Sequence, residues 1–160
     1  MAELPYRRNV GAVLFNRDGR VLIARRADVA VDAWQFPQGG LDEGEEPRRA
    51  VLRELREEIG TDRAEIIGEV PDWLHYDLPT ELVGKALGGK YRGQMQKWFA
   101  LRFLGADADI RLDLDAHQEF NAWRWERLAD VPRIVVAFRR PIYERVAREF
   151  AAFAEGGATT

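Results

Sequence analysis

The segment Gly39–Gly60, GGLDEGEEPRRAVLRELREEIG, constrains the chain most, because nearly every position in it points to the same local structure. Pro47 suits a first helical position, Glu45 and Glu46 suit the positive end of a helix dipole, and Gly60 suits the left-handed position after a last turn. At about 100° per residue, Val51, Leu52, Leu55 and Ile59 gather on one stripe of the predicted helix. Arg49, Arg53 and Arg56 form a second stripe, and Glu54, Glu57 and Glu58 a third, beside the apolar one. Like charges at i, i+3 and i+4 cost a few tenths of a kcal/mol per pair, so their grouping needs a cause. A solvated face on which the arginines offset the repulsion is one. A hard divalent cation is another, since Mg²⁺ takes oxygen ligands and leaves positions for water and phosphate. The approach loop favours the cation, because Gly39, Gly40 and Gly44 let backbone come close to a ligand beside a helix N-terminus.

The flanking sequence predicts strands. Tyr6–Phe15 and Val21–Ala24 are β-rich and separated by the turn signal Asn16-Arg-Asp-Gly19, which reads as a hairpin. Trp34–Pro37, Glu65–Val70, Trp73–Leu78, Met95–Leu104 and Asn121–Trp125 are further strand segments. Ile142, Val146, Phe150 and Phe153 recur with helical spacing and predict one amphipathic helix from about Arg139 to Ala154. Pro79–Gly93 contains TELVGKALGGKYR and reads as a surface loop able to move or to touch a ligand. This order implies an α/β fold, a mixed sheet with helices packed on it, in a single domain over 1–155 followed by a flexible tail at 156–160.

Composition narrows the classes. With 46% hydrophobic and 11% aromatic residues the chain is globular, and with no cysteine it can hold neither disulfides nor a thiolate metal site. The start lacks an apolar leader, and the uncharged apolar runs, such as Ile134–Phe138, are far below the roughly 20 residues of a membrane span. The expectation is a cytoplasmic protein that neither enters nor crosses a membrane. A net charge of -3 argues against broad electrostatic nucleic-acid binding, though not against a local basic patch. His75 and His117 have no ligand partner at useful spacing, and Trp34, Trp98, Trp123 and Trp125 read as core or sheet packing.

Gly39, Glu45 and Arg53-Glu54-Leu55-Arg56-Glu57-Glu58-Ile59-Gly60, at their spacing, resemble the signature of the Nudix hydrolases, with Thr61 where an aliphatic residue is usual. The resemblance implies an α/β/α sandwich whose loop and helix hold catalytic Mg²⁺, two or more ions, for which Mn²⁺ can substitute. It implies Glu54, Glu57 and Glu58 as metal ligands, with Gly39 beside them in the metal site. It further implies that Arg53 orients a glutamate and that Glu45 supports the loop by a salt bridge, both from behind the ligands.

Outside that segment, YRRNVG, ARR, WQFPQGG, WLHYDLP, GQMQKWF, EFNAWRW and VVAFRRPIY resemble the bacterial RNA pyrophosphohydrolases and the similar asymmetrically cleaving diadenosine polyphosphate hydrolases. That resemblance implies Glu119 as a further metal ligand, Arg7 and Arg26 near the substrate phosphates, and Val136 with Phe138 around an RNA base. Tyr76, Lys97 and Arg139 are further candidate substrate contacts. Arg8 stands where RNA-acting relatives often have proline, and Ala33 where a small hydroxyl residue can help to hold RNA. The implied reaction is Mg²⁺-dependent hydrolysis of a 5′-triphosphate RNA end to a 5′-monophosphate, promoting RNA decay, by a monomer with no protein partner. The general base remains open among Glu54, Glu57, Glu58 and Glu119. Dinucleoside polyphosphate hydrolysis and a non-catalytic RNA-end or nucleotide binding module are the rival readings.

Overall fold

The computed structural model describes residues 4–29 and 32–156, with side chains described up to Ala154. Among the described residues eight strands form one mixed sheet. They are β1 (Tyr6–Phe15), β2 (Val21–Arg26), β3 (Trp34–Gln35), β4 (Gln38–Gly40), β5 (Ala64–Glu69), β6 (Leu74–Asp77), β7 (Gly93–Phe103) and β8 (Phe120–Glu126). The sheet path runs β3-β2-β1-β7-β5, with β4 on β1, β6 on β7 and β8 on β2. Among the described residues only β1 and β7 run parallel, over ten register pairs from Tyr6↔Gly93 to Phe15↔Arg102. Among the described residues the α-helices are α1 (Pro47–Ile59), α2 (Val131–Ile134), α3 (Arg140–Glu149) and α4 (Ala151–Gly156), with short 3₁₀ turns between elements.

Alternation along β1 serves two cores. Val10, Ala12 and Leu14 point to the side covered by α1, through Ala50, Val51, Leu55 and Ile59. Val13 and Phe15 point to the other, covered by Ile142, Tyr143 and Val146 of α3. A strand buried on both faces has no polar face to show, which is why Val10–Phe15 reads as a nearly continuous apolar run. The outcome is the expected sandwich of helices around a mixed sheet.

Three elements differ from expectation. The C-terminal helix breaks at Phe150, whose φ of -107° and ψ of 9° end α3. The break lets Phe153 meet Phe15 edge-on at 5.9 Å, over Gly68, where a Cβ would come within 2.9 Å of the Phe153 ring. Pro79–Gly93 holds two 3₁₀ turns, and Leu82, Ala86 and Leu87 pack against the core, so only part of it is open surface. Gln38–Gly40 is a strand, because its backbone pairs with β1 at Gly11, Val10 and Asn9. Of the predicted tail, Gly156 ends α4, and residues 157–160 lie outside the described residues.

Candidate active site

α1 starts and stops as its sequence predicts. Pro47 occupies its first turn, and Gly60, at φ 78°, returns its N–H to the carbonyl of Arg56. Thr61 is buried and its hydroxyl accepts the Arg63 N–H at 3.1 Å, so a polar residue is satisfied at the position where an aliphatic one is usual. Packing then separates the three acids. Glu57 is 42% exposed, Glu54 12%, and Glu58, on the buried side of the helix, 3%.

β4 covers these acids. Its Gln38 N–H donates to Glu58 Oε1 at 3.1 Å, and its Gly39 passes so near the helix that a Cβ there would lie 2.0 Å from Glu54 Oε2. A side chain there would displace the Glu54 carboxyl. Arg53 ties loop to helix. Its Nε and Nη2 donate to the two oxygens of Glu45 at 2.7 and 2.8 Å, and Nη2 also donates to the Gly40 carbonyl at 2.9 Å. Nη1 donates to Glu54 at 3.0 Å and to Glu57 at 3.1 Å. The fork geometry of guanidinium makes such bidentate pairing strong. It holds the Glu45 carboxyl down at about 2, while Glu45 also accepts the Asp42 N–H at 3.0 Å.

Glu58 behaves oppositely. Burial pushes its carboxyl well above the usual range, and the charges of Glu54 and Glu119 push it further. Burial likewise raises Glu54, whose carboxyl meets that of Glu58. Two touching carboxylates cannot both ionise cheaply without a proton or a cation between them. Asp42, Glu45, Glu54 and Glu57 stand around Arg53, while Glu58 feels the charges of Glu54 and Glu119. An all-oxygen set with surplus negative charge fits a hard divalent ion. Among the described residues, however, no three acidic or histidine side chains already converge at metal-ligand spacing, because Glu57 is turned to Arg53 and Glu119 is exposed.

The other candidates are spread around this centre. Arg7 lies against Gly40, where a Cβ would meet its Nη2 at 2.3 Å, and reaches Gln94 at 3.5 Å. Arg26 is paired through two nitrogens with Asp28, which raises its pKa, and feels the charge of Glu119. Tyr76 is buried; its hydroxyl accepts from Gln94 at 2.7 Å and its ring tilts against Phe138 at 5.4 Å. Val136 is 38% exposed, next to the turn that carries Phe138. Arg139 is buried, donates to Gln35 at 2.7 Å, and has an Nε without a partner. Lys97 is occupied elsewhere, by the carbonyls of Val70 and Pro71 at 2.9 and 3.0 Å and by Glu69 at 3.0 Å.

Asn9, Gln35, Gln38, Gln94 and Gln96, not among the residues expected at the site, are buried or half-buried, and Gln38 reaches Glu58 through its N–H. A signal was present in QMQKW, where Gln94, Gln96 and Trp98 alternate onto one face of a strand. Trp98 is fully buried, and Trp34, Trp123 and Trp125 are half-buried sheet packing. His75 packs edge-on against Tyr6 at 5.2 Å and His117 is exposed. A cleft of about 570 Å³ lined by Asp18, Arg20, Leu128, Ala147 and Ala154 lies at the opposite end of β1 from these acids.

Comparison with known proteins gives the same grouping. An RNA pyrophosphohydrolase from Acidiphilium cryptum (strain JF-5) is 59% identical over 155 residues, covering 95% of this chain and 94% of that protein. One from Rhodospirillum rubrum is 54% identical over 153 residues, covering 96% and 92%. Among solved structures, a MutT protein from Methanosarcina mazei Go1 superposes with a TM-score of 0.68 at 22% identity, covering 93% of this chain and 98% of that one. A C. elegans Ap4A hydrolase binary complex gives 0.64 at 21% identity, covering 91% and 98%; at such identities the likeness is one of fold. The NUDIX domain profile matches residues 5–146, which spans the sheet, the acidic helix and most of α3, and the chain therefore belongs to the Nudix family.

Proposed function

We propose that this chain is an RNA pyrophosphohydrolase, which hydrolyses the 5′-triphosphate of RNA to a 5′-monophosphate and releases pyrophosphate, or phosphate in two steps. The observation that carries this reading is identity of 59% along nearly the whole chain to a protein of that name. One phosphoanhydride bond breaks per water consumed, and the new RNA end is one that permits further decay.

Glu54, Glu57, Glu58 and Glu119 are the residues that would hold the divalent ions, Mg²⁺ or Mn²⁺, with Gly39 closing the site. Such ions supply neutralisation of the polyphosphate charge and acidification of water. Arg53 positions Glu54 and Glu57 through its Nη1, and its pair with Glu45 keeps that guanidinium in place. Arg7 and Arg26 serve the phosphates, for which Arg26 must share its charge with Asp28. Phe138 and Val136 offer an aromatic and an aliphatic surface to an RNA base, a contact worth about 1–3 kcal/mol and tolerant of sequence, and Tyr76 backs the Phe138 ring. Arg139 stands behind Phe138, and Lys97 contributes through the β5–β6 connection that it holds. One of the four glutamates takes the proton of the attacking water.

Among the described residues no helix is long and apolar enough to cross a membrane. We place the protein in the cytoplasm, where its RNA substrate is, and expect a monomer folded as one domain over 1–155. The deciding experiment compares kcat/KM for 5′-triphosphorylated RNA and for diadenosine tetraphosphate on one preparation. Preference for RNA supports the proposal, and preference for the dinucleotide overturns it. Glu57→Gln is expected to lower Mg²⁺-dependent turnover by two orders of magnitude or more with the fold intact; wild-type turnover would remove Glu57 from the site.

A further inference from the structure

Gln96 and Trp98 project from the same face of β7 and are buried, at 2% and 0% exposure. Trp98 Nε1–H donates to Gln96 Oε1 at 3.1 Å, Gln96 Nε2–H donates to Gln38 Oε1 at 3.0 Å, and the Gln38 backbone N–H donates to Glu58 at 3.1 Å. One group sets the direction of this series. An indole N–H can only donate, so Gln96 must turn its oxygen to Trp98 and its nitrogen to Gln38.

The series crosses a strand. β4 and β7 are not neighbours; each pairs with β1, where Gly11 faces Gln38 on one side and Trp98 on the other. Two strand spacings separate them, about 10 Å, which two glutamine side chains can bridge only if no side chain stands at Gly11. A Cβ there would lie 2.4 to 2.6 Å from the Trp98 ring. The missing side chain thus makes room both for the indole and for the bridge.

We propose that Gln96 and Trp98 are positioning residues of the acidic site: through Gln38 they hold β4 at the height at which its N–H meets Glu58 and its Gly39 fits against Glu54. The inference rests on the assignment of Glu54 and Glu58 as ion-holding groups. It does not depend on which polyphosphate is the substrate. β4 has only three residues, so its place is set by few backbone bonds, and a side-chain tie to the rigid β1–β7 pair is a direct way to fix it. A buried glutamine is costly unless its amide is satisfied, and Gln96 is satisfied by Trp98 on one side and Gln38 on the other.

The test uses Gln96→Leu and Gln38→Ala in the full chain. Mn²⁺ binding is followed by paramagnetic resonance without substrate, kcat and KM are measured on 5′-triphosphorylated RNA, and the Trp98 indole ¹⁵N–¹H resonance is followed during titration with Mg²⁺. In both variants the Mn²⁺ dissociation constant is expected to rise about tenfold, the usual order for loss of a group that orients a ligand. Turnover falls while KM stays within about twofold, and the Trp98 resonance, shifted by Mg²⁺ in the wild type, no longer responds. Should Gln96→Leu fail to fold, Gln38→Ala decides alone, since its site is half-buried and the N–H to Glu58 is kept. Mn²⁺ affinity and kcat within twofold of wild type in Gln38→Ala would show that the series only satisfies buried polar groups, and would overturn the proposal. A wild-type protein that binds no Mn²⁺ would overturn the acidic-site assignment as well, so the two failures are distinguishable.

Discussion

Gly39→Ala tests whether the approach of β4 to α1 sets the reactive geometry. The new Cβ would lie 2.0 Å from the Cδ and Oε2 of Glu54 and 2.4 Å from its Oε1. Carbon contacts relax at about 3.5 Å, so the carboxyl must retreat by about 1.5 Å. The side chain can do this by rotating, and Gly39 does not use the left-handed backbone region, so the strand itself tolerates alanine. Retreat breaks the 3.0 Å bond from Arg53 to Glu54. That loss costs about 1 kcal/mol, which for a chain of this size lowers the melting temperature by about 2–4 °C. The chemical consequence is larger, because misplacing a reacting group by 1 Å can cost about 100-fold in rate. The assay is steady-state release of pyrophosphate from triphosphorylated RNA across a Mg²⁺ titration, beside a thermal melt. Turnover about 100-fold down with a melting shift of a few degrees is the expected result. Turnover within about threefold of wild type would refute the reasoning, since Glu54 would then tolerate the displacement.

Acid should weaken the protein partly through Glu45. Its carboxyl is depressed from 4.5 to about 2 by Arg53, so the stability it adds is present above about pH 4.5 and is lost as pH falls toward 2. The shift corresponds to about 3 kcal/mol, discounted to about 2 because water reaches the edge of the pair. Glu45→Gln should flatten thermal melting against pH in that window, and an unchanged slope would count against the pair. Tyr143→Phe leaves the buried Phe36 N–H, now 3.0 Å from the Tyr143 hydroxyl, without an acceptor. The denaturation midpoint should fall by the equivalent of about 1–3 kcal/mol, and an unmoved midpoint would show that water replaces the hydroxyl.

Much of this was legible from residues close in sequence. Pro47 and Gly60 mark the ends of α1 because helix termini depend on a few local backbone groups, and they do so in the structure. The Glu45–Arg53 pair was expected from the family resemblance, and its two nitrogen–oxygen bonds are made eight residues apart. Less legible were elements whose form depends on distant partners. Phe150 fits a helical period yet ends α3, because the last turn must carry Phe153 over Gly68. Lys97 looked available for substrate but is held by carbonyls 26 and 27 residues away.

By itself, the sequence determined that one helix carries three acids at i, i+3 and i+4 beside an apolar stripe, because 3.6 residues per turn leave no other arrangement. Tertiary structure alone decided that Glu58 is enclosed while Glu57 faces solvent, and that Glu54 has only a glycine above it. A helical period assigns each side chain a direction and says nothing of what lies there. What lies there is β4, laid on β1 and tied across Gly11 to Trp98, and it encloses Glu58 beside Glu54 while leaving Glu57 to solvent.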